Sequence, residues 1–287
     1  MKVFLTGGTG YVGRQIVRDL VRENHSVTAL VRKGSQQKLP SGIEEKIQIV
    51  YGDIQLPQTY RDALKNAEAI INLPGLLREF PRKGITFERV HFLGTKILAD
   101  EAKTAGVMRF IQMSALGVRA DATTKYQETK FRAEEYLKGS GLQWTIFRPS
   151  LMFGNEKEGI VNFMSVLNDL LEMIPFFVPV LGDGKYRFQP IAVQNISAGF
   201  VKALTLPASI GKTYDAAGPD RYTYNELLDM IQHVTGKYKT RLHQPMVIMK
   251  ILASFFDGIP GFPVSRGQIT MLLEENISDN WTEFFSD

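Results

Sequence analysis

Cysteine is absent from the chain, which excludes disulfides and thiolate zinc sites. Histidine is scarce: His25, His91, His233 and His243 are the four present. They show no metal-ligand spacing, so surface or packing roles are expected of them. No run of about 20 uninterrupted apolar residues exists, so no segment is expected to span a membrane. An excess of one charge is missing too. With 34 basic against 30 acidic side chains, net +4, the chain lacks the concentrated basic stripe that tracks phosphate backbones, which argues against a general nucleic-acid binder. Met1 to Leu5 run straight into a strand and leave no room for a charged and then apolar leader, so a cytoplasmic protein is the expectation. Internal repeats and low-complexity tracts are also lacking.

What is present is the rhythm of an α/β protein. Apolar, β-branched runs at Lys2 to Thr6, Ser26 to Val31, Ile47 to Tyr51, Ala67 to Leu73, Arg109 to Met113 and Gln143 to Phe147 read as buried strands. Helical periodicity separates them: Val12, Ile16 and Leu20 behind a glycine loop, a helix from Pro57, a long helix over Phe87 to Ala105 closed by Gly106, and one over Tyr126 to Leu137. This pattern predicts a Rossmann, doubly wound parallel sheet with helices on both faces over residues 1–150. After Pro149 the rhythm breaks. A smaller, partly interleaved C-terminal lobe is expected over 151–287. There a polar loop from Asn155 to Gly159 precedes a helix ending at Met173. Pro175 to Leu181 is kept out of regular helix by two prolines, Gly182 to Gly184 is a turn, and Thr223 with Glu226 forms a capping box.

The chemistry begins at Thr6 to Gly13, T-G-G-T-G-Y-V-G. Gly7 permits a sharp turn off the strand, Gly10 lets backbone approach a pyrophosphate, and Gly13 lets the helix pack close to the sheet. Backbone N–H groups at the helix start, across Thr9, Tyr11 and Val12, would then meet the anion. At the end of the second strand Val31-Arg32-Lys33 offers no carboxylate before Glu44. A carboxylate there would favour NAD, whereas Arg32 can fork onto a 2′-phosphate, with Arg14 near enough to help, so NADP(H) is favoured over NAD(H). The alternative for both arginines is solvated surface charge. Asp53, followed by Ile54, is placed to accept from an adenine amino group or, equally, to cap a turn. Leu73-Pro74-Gly75 would pass beneath a ribose, where a small residue suits close approach. Tyr126 and Lys130, four apart, share a helix face, and the lysine cation is expected to lower the phenol pKa into general-acid range. Ser114, at the end of the fifth strand, would orient a carbonyl.

Thr6 to Gly13, Gly52-Asp53, Met113 to Gly117, Tyr126-x-x-x-Lys130 and Arg148-Pro149-Ser150-x-x-Phe153-Gly154 together resemble the extended and atypical short-chain dehydrogenase/reductase superfamily, the NAD-dependent epimerase/dehydratase-like group. Within it the chain is most similar to the nucleotide-binding accessory subunit of mitochondrial complex I and its bacterial relatives. That likeness rests on Ser114 to Gly117, Arg148-Pro149-Ser150, Gly182 to Pro190 and Arg266 to Asn276. The resemblance implies a bound NADP(H) held by Gly7, Thr9, Gly10, Tyr11, Val12, Gly13, Arg32, Asp53, Ile54, Leu73, Gly75, Lys130 and Pro149. It also implies a catalytic set of Ser114, Tyr126 and Lys130, and a lobe closing over the nicotinamide. Where superfamily members often carry a relay asparagine, the segment here reads Val90-His91-Phe92, so His91 is either a substitute relay or a packed side chain. Where relatives carry an aspartate, Asn195 stands.

Three functions follow. The first is an NADP(H)-dependent oxidoreductase on a small apolar carbonyl or alcohol, with Tyr126 moving the proton, Lys130 holding the ribose and Ser114 polarising the oxygen. The second is a catalytically silent, NADPH-loaded accessory, assembly or redox-sensing protein. Its protein or membrane-surface contact would run through the apolar 246–264 stretch, whose alternative is simply the core of the second lobe. The third is a nucleotide-sugar epimerase or dehydratase, against which the apolar content of residues 160–181 argues.

Overall fold

A computed structural model describes residues 1–154, 163–173, 176–245 and 266–286. Six strands follow in chain order: β1 (Lys2–Thr6), β2 (Ser26–Val31), β3 (Ile47–Tyr51), β4 (Ala69–Asn72), β5 (Arg109–Met113) and β6 (Gln143–Pro149). Between and beside them run α1 (Tyr11–Arg22), the four-residue α2 (Arg61–Leu64), α3 (Gly94–Ala105) and α4 (Lys125–Lys138). Later come β7 (Met152–Phe153), α5 (Phe163–Met173), β8 (Phe177–Leu181), β9 (Arg187–Phe188), β10 (Ile191–Ala192), α6 (Val193–Ala203), β11 (Lys212–Ala216), β12 (Tyr222–Thr223), α7 (Tyr224–Thr235), β13 (Thr240–Gln244), α8 (Arg266–Leu273) and α9 (Thr282–Ser286).

The chain forms two compact units: Met1–Pro149 with Val193–Ala216 and Asn280–Asp287, and Ser150–Ala192 with Ala217–Asp279. The first holds a seven-stranded sheet in the order β11-β6-β5-β4-β1-β2-β3, every pairing parallel. This is the Rossmann arrangement expected from the alternating pattern. Strand order reverses beside β1, which lies between β2 and β4, so a crevice opens at the carboxyl ends of these strands. The strand interiors are buried because helices cover both faces. On one side Phe4, Ile70, Phe110 and Ile146 pack with Tyr60, Leu98 and Leu137. On the other, α1 packs against α6, where buried Asp19 accepts from Ser197 Oγ at 2.6 Å.

Several sequence expectations move. The helix expected from Pro57 is a 3-10 turn, Pro57–Thr59, before α2. The one expected over Phe87 to Ala105 opens as a π-helix, Glu88–Leu93, and becomes α-helical only from Gly94. The seventh strand, β11, is too short and too mixed (KTYDA) to stand out by apolar run; its parallel register with β6 makes it a strand. Arg109, at the start of β5, is buried and donates to the carbonyl of Ala203, the last residue of α6, and to Gln143 O, Thr145 Oγ1 and Ser209 Oγ. Carbonyl dipoles at that helix end offset its charge. A shallow cleft beside it, lined by Met108, Leu206 and Ile210, sits at the amino ends of the strands, away from the crevice.

In the second unit the segment that prolines were expected to keep out of regular helix is a strand from Phe177 to Leu181: β8 pairs parallel with β13. The capping box is present, with Thr223 Oγ1 accepting from Glu226 N and Glu226 accepting from Thr223 N at 2.7 Å. Short pairs β7 with β10 and β9 with β12 complete it. The 155–159 loop and the 246–264 stretch lie outside the described residues. Among the described residues no helix is long and apolar enough to cross a membrane, and no cluster could hold a metal ion.

Candidate functional site

The glycine loop is shaped by contacts that no side chain could share. Gly7 has φ +79°, the left-handed region that glycine alone enters without strain. A β-carbon on it would also meet Leu73 Cβ at 3.1 Å. A β-carbon on Gly13 would fall 2.1 Å from the Gly7 carbonyl oxygen. Gly10 is the N-cap of α1, extended, donating its N–H to Gly7 O at 3.0 Å and offering no capping side chain. The first turn carries no acid. Thr9 and Tyr11 are half-buried and Val12 is anchored in the core, and the backbone N–H groups of such a helix start can receive an anion.

Beneath the loop lies a buried polar chain that apolar patterning hid. Thr6 Oγ1 donates to Asn72 Oδ1 at 2.6 Å, and Asn72 Nδ2 donates to Gln112 Oε1 at 2.7 Å and Thr95 Oγ1 at 3.1 Å. Gln112 Nε2 ends on Met113 O at 2.8 Å. Asn72 is the last residue of β4, and Gln112 pairs with it in register from β5. A polar residue closing β4 and another one place before the end of β5 were the signal available in the sequence. All four side chains are buried, so their bonds hold the carboxyl ends of β1, β4 and β5 together.

The adenosine side is plainer. Arg32, directly after β2, is exposed. Asp53 follows β3, and Gly52 N–H donates to Val31 O at 3.1 Å, so these two strand ends stand side by side. Asp53 Oδ1 accepts from Gln55 N–H at 2.9 Å: it caps its own turn, one of the two roles open to it. Ile54 is half-buried, with its carbonyl accepting from Tyr60 Oη at 2.9 Å.

On the far side, Leu73 is buried against Gly7, and Gly75 is exposed. Lys130 Nζ lies 3.8 Å from where a β-carbon on Gly75 would be, and 3.5 Å from Met113 O. Lys130 is 4% exposed. Burial pulls its pKa down to about 8, opposed by Glu134 four residues on. Tyr126 is half-buried, with Lys130 Nζ 5.6 Å from its ring centre. The expected lowering of the phenol pKa is not found. Burial pushes Tyr126 above its ordinary range, because desolvation of the phenolate outweighs a cation that faces the ring. Ser114 is buried, donates its N–H to Phe147 O at 2.7 Å, and its Oγ has no hydrogen-bond partner among the described residues. A buried hydroxyl left unpaired costs free energy unless something meets it. Pro149 is buried at the end of β6 and accepts from Leu116 N–H at 2.9 Å.

His91 is packed. Its Nε2 accepts from Leu76 N–H at 3.0 Å and its Nδ1 meets Thr129 Oγ1 at 3.0 Å. Phe87 stacks on it at 5.3 Å and Tyr126 meets it edge-on at 5.2 Å. Burial first, and the nearby Lys130 charge second, drive its pKa down to about 2. A relay at this position has no free nitrogen, so the packing alternative holds. Asn195, by contrast, is exposed on α6.

The NAD(P)H-binding family model matches residues 7–170, more than half of the chain. The chain belongs to the NAD(P)H-binding family. It is 29% identical, over 97% of its length and 71% of the relative's, to the NADH dehydrogenase [ubiquinone] 1 alpha subcomplex subunit 9, mitochondrial, of Arabidopsis thaliana. It is 28% identical, over 90% of its length and 78% of the relative's, to the photosystem II assembly factor Ycf39 of Guillardia theta. Among solved structures, a nucleoside-diphosphate-sugar epimerase of Staphylococcus aureus superposes with TM-score 0.75 at 19% identity, covering 100% of this chain and 96% of that one. A dTDP-glucose 4,6-dehydratase of Bacillus anthracis in complex with NAD gives 0.69 at 19% identity over 99% and 96%. At that identity these neighbours show the fold alone. The expected likeness to the complex I accessory subunit is met by the first of these relatives, and the expected Rossmann fold by the solved structures.

Proposed function

We propose that this NAD(P)H-binding protein retains its dinucleotide as a lasting part of its structure and works as a nucleotide-loaded accessory or assembly protein. The reading is carried by the packing beside Tyr126, where His91, at the place a proton relay would take, has both ring nitrogens engaged. The relatives' names, a complex subunit and an assembly factor, point the same way. The backbone from Gly7 to Gly13, with Thr9, Tyr11 and Val12, would hold the pyrophosphate. Arg32, exposed at the end of β2 where a carboxylate would select NAD, would take a 2′-phosphate, favouring NADP(H). Asp53 and Ile54 would flank the adenine, Leu73 and Gly75 would pass under a ribose, and Lys130 would donate to its hydroxyls. Pro149 and the unpartnered Ser114 Oγ would face the nicotinamide end. A cytoplasmic setting belongs to the same proposal.

A second reading is favoured by Ser114 Oγ, which is poised for a ligand oxygen. In it the protein is an oxidoreductase for a small apolar carbonyl or alcohol. A bound nicotinamide would supply hydride chemistry, Ser114 would polarise the oxygen and Tyr126 would exchange the proton. NADPH titration of the purified protein, followed by a multiple-turnover assay over a panel of aldehydes, ketones and quinones, separates the two. The first reading expects tight binding with no turnover. Sustained NADPH oxidation that disappears in Tyr126→Phe, with affinity kept, would establish the second.

A further inference from the structure

We propose that His91 is a positioning residue of the dinucleotide site, a clamp that fixes the segment after β4 to α4 and so sets the grip of Lys130 and Gly75 on the cofactor. The proposal rests on the dinucleotide reading above. Its geometry is specific. His91 bonds Leu76 on one side and Thr129 on the other, each at 3.0 Å. Leu76 is the neighbour of Gly75, and Thr129 is the neighbour of Lys130. Lys130 Nζ lies 3.8 Å from where a β-carbon on Gly75 would be, so these two residues face one another. The imidazole therefore ties the chain one residue behind each jaw.

The hydrogen bonds assign the tautomer. Nε2 accepts from a backbone N–H, so the proton sits on Nδ1 and is donated to Thr129 Oγ1. Thr129 passes its own proton to Lys125 O at 2.8 Å, which anchors the chain of bonds in the first turn of α4. The ring is 2% exposed, stacked by Phe87 and met by the edge of Tyr126. Such an imidazole stays neutral through the physiological range, and the clamp does not open on mild acidification. The π-helical turn Glu88–Leu93 places it: a π turn widens the helix and rotates the side chains that follow, and such turns collect where a helix serves a site.

The test uses the full chain with His91→Leu, which keeps bulk and removes both bonds, and Thr129→Val, which removes one with little change of shape. Three quantities are read: NADPH Kd, the pH midpoint of that binding, and hydrogen exchange at the Leu76 amide. The groups that face Lys130 and set its midpoint are Tyr126 and Glu134 on α4 and His91 on the π turn. His91→Leu is expected to raise Kd about tenfold, a loss of about 1.4 kcal/mol. It should move the midpoint upward as water reaches the ammonium, and speed Leu76 exchange. Thr129→Val should move all three the same way by less. A merely structural histidine would lower the melting temperature without moving the midpoint. Unchanged Kd and midpoint in folded His91→Leu, or in Thr129→Val should the former not fold, would overturn the clamp. Fast Leu76 exchange in the wild-type protein would overturn it as well. Wild-type protein that binds no dinucleotide would instead sink the binding reading, and with it any role of the clamp in cofactor grip.

Discussion

The carbonyl oxygen of Gly7 lies 2.1 Å from the place a β-carbon on Gly13 would occupy. One residue thus closes the turn and the other gives it room, and neither works without the other. Gly13→Ala is expected to cost about 1–3 kcal/mol of stability through forced backbone movement, and Gly13→Val more. Both should abolish dinucleotide binding, because the shift displaces the N–H groups at the start of α1. Urea unfolding with a parallel NADPH titration checks this; a Gly13→Val protein that binds normally would remove the loop from the site.

The fold was legible where local pattern and packing agree. Lys2–Thr6, Ser26–Val31 and Arg109–Met113 stand where their apolar runs place them, since central parallel strands are buried on both faces, and Ile47–Tyr51 stands in its place at the sheet's edge. β11 was not, because a strand of five mixed residues is defined by its neighbour β6 rather than by its own sequence. The glycine loop was legible because its chemistry is local. The Thr6–Asn72–Gln112 chain and the His91 clamp were not, since their partners lie 66, 40 and 38 residues apart in sequence and meet only through strand register and the π turn. Tyr126 shows a further limit: spacing along the helix puts Lys130 near it, but only geometry shows that the cation faces the ring and that burial decides the pKa.

Arg32 should govern the choice between cofactors. Arg32→Ser is expected to weaken NADPH by about 10–100-fold, the worth of one or two charge-assisted hydrogen bonds, and to leave NADH nearly unchanged. Competitive titration of the two cofactors measures it. Equal loss for both would show that Arg32 does not read the 2′-phosphate.

Lys130 couples the site to pH. Its folded pKa, about 8, lies below the unfolded value of 10.5. Between those values the unfolded chain holds a proton that the folded one does not, so apo stability from this group rises with pH across that window. Below it the buried charge is a standing cost, on the order of 3 kcal/mol at most. Lys130→Met is therefore expected to stabilise the apo protein at neutral pH while weakening dinucleotide binding. Wild-type binding should weaken as pH rises through the Lys130 midpoint. A loss of apo stability in Lys130→Met would contradict this.

Arg148 and Glu134 form a bidentate ion pair at 3.0 and 2.5 Å between β6 and α4, with the Glu134 side chain 1% exposed. Arg148→Leu strands a buried carboxylate and should cost about 3–5 kcal/mol, and the double variant with Glu134→Leu should recover much of it. Chemical denaturation of both variants tests the pair. Because α4 carries Lys130, loss of cofactor affinity is expected to accompany the single change.

Whether the protein retains a nicotinamide dinucleotide is settled most directly by native mass spectrometry of the protein as purified, without added nucleotide. One bound NADP(H) per chain, released on denaturation and absent from Gly13→Val, is the expected result. Wild-type protein at its bare polypeptide mass, with no uptake when NADPH and NADH are supplied, would contradict it.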